Sequence, residues 1–202
     1  MNCSTPVVYC YLFLCLLITL PGVFSEEYYE LFNVELPHHF WWQSLILPFQ
    51  HGVKGMPLAI LGHLVLNIIL LLTCGRITES ILGRKRFLFL SIVAWVGFTA
   101  TAFISDKWVS GASGVIWAYS PFLLIPIKRS KKDFNYSKIA FVSKGLLVVM
   151  WGLITVVMVF VPLVFNPEHK LMYTFLYGNL YHAVATFIGF MFYGVWRIIL
   201  DK

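Results

Sequence analysis

The chain has 202 residues, of which 59% are hydrophobic and 12% charged. A soluble domain is charged at about a quarter of its positions, so this composition excludes one and points to a single integral membrane domain over 1–202. The net charge of +6 is no nucleic-acid signal, because the basic residues cluster between apolar runs. Seven Trp, ten Tyr and eighteen Phe suit aromatic belts at two membrane interfaces. The four cysteines (Cys3, Cys10, Cys15 and Cys74) lack metal-ligand spacing and read as small apolar residues, not as a disulfide framework.

Six apolar segments follow in order, at about 7–24, 58–73, 87–104, 111–127, 145–165 and 175–196. Most approach the roughly 20 residues that span a bilayer; the second and fourth are short. The first is long for the core of a signal peptide and no Lys or Arg precedes it. It therefore reads as a retained helix, although Val23 and Ser25 would suit a cleavage site. The 25–57 stretch is a long first loop. It holds Glu26, Glu27, Glu30 and Glu35, then a Trp-rich segment at 40–49 expected to lie in the interface.

Orientation follows from Lys and Arg. Arg76, Arg84, Lys85 and Arg86 precede the third segment, Lys128, Arg129, Lys131, Lys132 and Lys138 follow the fourth, and Arg197 and Lys202 close the chain. Only Lys54, Lys107 and Lys170 lie in the opposite loops. Both termini are thus expected in the cytosol, and the long first loop outside.

Polar residues inside spans are costly and mark candidate sites. His63 and Asn67 stand four apart on the second segment, hence on one helix face, able to donate hydrogen bonds into one space or to clamp a neighbouring helix. Ser113, within Gly111-Ala112-Ser113-Gly114, opens the fourth segment. There the first backbone N–H groups are unpaired, and the small residues equally suit a packing seam. The sixth segment carries Asn179 and His182, with Ala185 and Gly189 forming a small-residue face. A serine, a histidine and two further donors on three spans are the set that acyl transfer needs. No Asp or Glu lies inside a span, so a catalytic histidine would work in a dyad and not a triad. His38, His39 and His169 have no ligand spacing, and neither metal nor other cofactor is expected.

These residues resemble the rhomboid family of intramembrane serine proteases. The resemblance rests on Gly111-Ala112-Ser113-Gly114 as GxSG, His63-Leu64-Val65-Leu66-Asn67 as HxxxN, and His182. Gly75, Glu79 and Gly83 match GxxxExxxG; Trp42 with His51, and Asn179 with Gly189, extend it to roughly 42–194. Gln43 stands where the family usually has arginine, Tyr181 replaces a small residue and Ala185 a glycine.

The resemblance implies an all-α, six-transmembrane-helix bundle that hydrolyses peptide bonds in or near a transmembrane segment of other membrane proteins. Ser113 and His182 would be catalytic, with the Ser113 N–H, His63 and Asn67 as oxyanion donors. Gly111, Gly114, Gly189 and Glu79 would be structural, with Glu79 in a cytosolic loop far from Ser113. The location implied is a multi-pass, bacterial inner membrane protein whose site faces the outer side. The segment 165–170 would cap the site, with the fifth span as a lateral gate. A catalytically silent client-binding relative, or a sorting enzyme that processes C-terminal anchors, would share the same pattern.

Overall fold

The chain runs first through a membrane-length helix, α1 (Pro6–Phe24), in a computed structural model that describes residues 5–32, 42–51, 57–105, 110–124 and 171–200, with Gly145 and Val148 as isolated helical positions. The fifth span expected at 145–165, the basic loop at 128–138, and His38, His39 and His169 otherwise lie outside the described residues. Every element among the described residues is helical. Among the described residues three stretches are long and apolar enough to cross a bilayer: Pro6–Phe24, Ile60–Leu82 and Arg84–Ser105. Phe13, Leu17, Phe89, Val96, Phe187 and Val195 point outward from the bundle. A surface this apolar suits lipid and not water, so this is an integral membrane protein.

At Ser25 the chain turns, and α2 (Glu26–Phe32) folds back on the end of α1. The Ser25 hydroxyl accepts the Tyr28 N–H at 3.2 Å, and Tyr29 seats on Gly22, where a Cβ would lie 3.1 Å from its ring. A short helix, α3 (Gln43–Ile46), follows. The described part of the segment expected in the interface packs on the bundle. Gln43 and Ser44 are buried, and Leu47 joins Phe98, Ala102 and Tyr181 in a core cluster. Gln43 Nε2 donates to the Leu31 carbonyl at 3.0 Å, so a neutral amide tethers the first loop at this position.

The second span does not end near residue 73. It runs through α4 (Pro57–Leu70), a π turn (Leu71–Gly75) and α5 (Arg76–Leu82), ending at Gly83 with φ of 75°. The widened turn admits an extra residue and changes which face the second half presents. That places Glu79 inside a helix, correcting its assignment to a loop. Its carboxylate accepts the N–H groups of Val7 (3.2 Å) and Val8 (3.0 Å). A helix start has free N–H groups and a positive dipole end, and a carboxylate satisfies both. Gly75 lets Val8 approach closely, at 3.1 Å from an added Cβ.

After α6 (Arg84–Ser105) the chain enters the core as a broken helix: α7 (Ser113–Ile116), a 3-10 turn (Trp117–Tyr119) and α8 (Ser120–Leu124). Residues 111–123 are buried throughout. Around this axis sit Cys15, Leu64, Cys74, Phe87, Leu90 and Ala185, among others. The last helix, α9 (Leu171–Leu200), lays Tyr181, His182, Ala185, Gly189, Tyr193 and Trp196 along its buried face. At Gly189 the backbones nearly touch, since an added Cβ would collide with the Ala118 carbonyl.

Candidate active site

Ser113 is the first residue of α7, preceded by Gly111 in an extended conformation with φ of 125°. Only glycine enters that region readily, and a Cβ there would lie 2.8 Å from the His63 ring. Two bonds then hold the approach to the serine. The Leu47 carbonyl accepts the Gly111 N–H at 3.0 Å, and His51 Nε2 accepts the Ala112 N–H at 3.1 Å. The Ser113 N–H takes no partner among the described residues.

His51 is the anchor of this loop. Accepting at Nε2 requires its proton on Nδ1. That nitrogen lies 3.1 Å from both the Phe49 carbonyl and Thr19 Oγ1, and Thr19 itself donates to the same carbonyl at 2.9 Å. One imidazole thus joins α1, the first loop and the serine turn. Burial, with His63 beside it at 5.1 Å between ring centroids, pushes His51 down to about 3, against the bond to the Phe49 carbonyl.

Ser113 and His182, remote in sequence, meet: His182 Nε2 lies 3.1 Å from Ser113 Oγ, and both residues are buried. Trp117 faces the imidazole at 5.5 Å and helps fix its plane. Nδ1 is buried with no hydrogen-bond partner among the described residues. Among the described residues no carboxylate orients the ring there; Glu79 is committed to the start of α1.

The small residues around Ser113 admit aromatic neighbours. Phe98 covers Gly114 so closely that a Cβ would overlap its ring. Tyr181 packs at a tilt against Phe98, 5.3 Å between ring centroids, and its hydroxyl pairs with Ser105 Oγ at 2.9 Å. A residue larger than the family pattern therefore fills the space between α6 and α9 one position before His182.

His63 lies against Gly111, but Asn67 is only partly available to the space beside it. Its Nδ2 donates to the His63 carbonyl at 2.9 Å, committing one of two amide hydrogens to its own helix. Inside a span a polar side chain readily satisfies itself on the preceding turn.

A buried serine with its hydroxyl 3.1 Å from a histidine nitrogen, at the start of a broken helix in a membrane bundle, is the arrangement that a nucleophile and its base require. A family model for the rhomboid domain matches residues 41–170. The chain belongs to the rhomboid family. Its members are generally serine intramembrane proteases that act on membrane proteins within the bilayer. The match takes in His51, His63, Asn67 and Ser113 but stops short of α9, so the position of His182 in this rhomboid rests on the structure. Neither curated proteins nor solved structures match the chain.

Sequence reasoning left Thr19, Ser105 and Trp117 unremarked. Thr19 and Ser105 are ordinary span and span-end residues whose partners come from elements 32 and 76 positions away, and no local pattern marks them.

Proposed function

We propose that this rhomboid is an intramembrane serine endopeptidase working through a Ser113–His182 dyad. The observation that carries the reading is the 3.1 Å contact between Ser113 Oγ and His182 Nε2. With the Nδ1 tautomer, Nε2 takes the hydroxyl proton as Oγ attacks the scissile carbonyl. The imidazolium then protonates the leaving amine, and water repeats the cycle on the acyl-enzyme. The oxyanion forms beside the unpartnered Ser113 N–H, with His63 and the second Asn67 amide hydrogen as further donors.

Substrates are membrane proteins with a transmembrane segment that unwinds locally, since an intact helix hides its peptide bonds; helix-weakening Gly or Pro near the cut favours this. Six spans form the bundle, with 145–165 as the fifth. The basic loops lie in the cytosol and the dyad faces the outer side.

Ser113→Ala and His182→Ala should each lower cleavage of a single-span substrate in liposomes by at least about 10⁴-fold with helical content unchanged. A fluorophosphonate probe should label the unaltered protein at Ser113. Full cleavage in either variant would overturn the dyad. No labelling and no cleavage in the unaltered protein would leave a client-binding rhomboid, and a product carrying an added amine would indicate a sorting enzyme.

A further inference from the structure

Outside the Ser113–His182 contact, the face between α1 and α6 is also hollow. A cavity of about 240 Å³ opens there between α1 and α6, lined by Cys10 and Leu14 on one side and by Leu88, Ile92 and Trp95 on the other, with Val115 at its back. Cys10, Leu14, Leu88 and Ile92 are exposed, so it opens outward to the surroundings of the bundle.

Three observations define its occupant. The lining is almost entirely apolar, with Ser91 already bonded to Phe87 and Tyr119. Along α6 the lining runs from Leu88 to Trp95, about 10 Å at 1.5 Å per residue, and begins one turn after Arg84, where the helix starts. Finally, Lys85, Leu88, Ile92 and Trp95 are spaced three, four and three apart, one face of α6. Arg84, four before Leu88, adjoins that face, and both basic side chains are exposed about one turn before the cavity lining begins. A second cavity of about 320 Å³ continues beyond Ile92 and Trp95 towards Leu45 and Phe103. No charged residue lines either cavity; the difference is that the first turn of α6, next to the first cavity, carries Arg84 and Lys85, whereas the last turn has no basic residue.

We infer that the α1–α6 cavity is a binding site for a phospholipid with an anionic headgroup. One acyl chain fills the cavity and the phosphate sits on Arg84 and Lys85. The chain's end reaches Trp95, and its length braces Val115, two residues after Ser113. Arg76, with its guanidinium 6.0 Å from the Tyr9 ring on α1, adds positive charge at the same end of the bundle. The inference does not depend on catalysis, only on the fold and on immersion in lipid.

The test is competition. Detergent-purified protein is mixed with equal amounts of phosphatidylglycerol and phosphatidylcholine of identical chains, and retained lipid is counted by native mass spectrometry. Phosphatidylglycerol should be retained in preference. In the Arg84→Gln/Lys85→Gln variant that preference should fall by roughly thirtyfold, at about 1 kcal/mol per basic residue near the phosphate. Cys10→Trp, which fills the cavity, should lose the retained lipid of either kind. Equal retention of the two lipids by the unaltered protein, an unchanged preference in the charge variant, or unchanged retention in Cys10→Trp would each overturn the site. Both basic residues are exposed, so the charge arm stands even if Cys10→Trp fails to fold.

Discussion

His51 shows how much one side chain can do when burial removes its charge. It is held neutral in the folded protein at about 3, against an ordinary value near 6.5. The unfolded chain therefore binds more protons between these limits. The stability that His51 contributes is full above about pH 6.5 and is lost as pH falls towards 3, at up to about 1.4 kcal/mol per pH unit. Thermal unfolding in detergent should show a midpoint that drops from pH 7.5 to 5, and His51→Asn should flatten that slope while lowering the midpoint at pH 7.5. An equally steep slope in the variant would assign the effect to other groups. The residues that meet at Ser113 share this character. Gly111 makes room for His63, Gly114 for Phe98, and the Tyr181 hydroxyl finds Ser105. Each is a small or polar residue whose choice is explained only by what stands opposite it.

At the level of elements, the second span carries two tasks on its two ends. His63 lies against Gly111, and beyond the π turn Glu79 clamps the start of α1. The turn is the joint that lets one helix serve both faces. Glu79→Ala leaves two amide donors at the head of α1 without their acceptor, and hydrogen bonds to a charged group are worth about 1.5–3 kcal/mol each. The expected loss is about 3 kcal/mol in unfolding measured in mild detergent, with α1 separating first in hydrogen exchange. Loss of less than about 0.5 kcal/mol would mean that the clamp is not important to the bundle. The sequence marks Glu79 by its charge at the edge of an apolar run, yet assigns it to a loop. Composition cannot reveal that the helix continues or that α1 begins beside it.

Across the whole molecule, the fourth segment is the axis, and α9 closes against it. The closest approach is Gly189 on the Ala118 carbonyl, seven residues along α9 from His182. Gly189→Ala should push α9 off the 3-10 turn and draw His182 away from Ser113. A misplacement near 1 Å costs on the order of 10² in rate. The measurement is cleavage of a single-span substrate, with circular dichroism to verify retained helix. An unchanged rate would show that the Ser113–His182 contact tolerates movement of α9.

The membrane class, the apolar runs and the polar residues that stand out against them are legible in the sequence, because lipid tolerates so few polar groups. There Ser113, His182, His63 and Asn67 stand as the unusual members of their spans. Tertiary structure alone decided that Ser113 Oγ and His182 Nε2 lie 3.1 Å apart, that Asn67 turns one donor onto its own helix, and that His51 and Thr19 hold the serine turn. The physical reason is reach. Hydropathy and spacing act within a few turns of one helix, whereas these contacts form between helices, wherever glycine, a π turn or a carboxylate lets two of them approach.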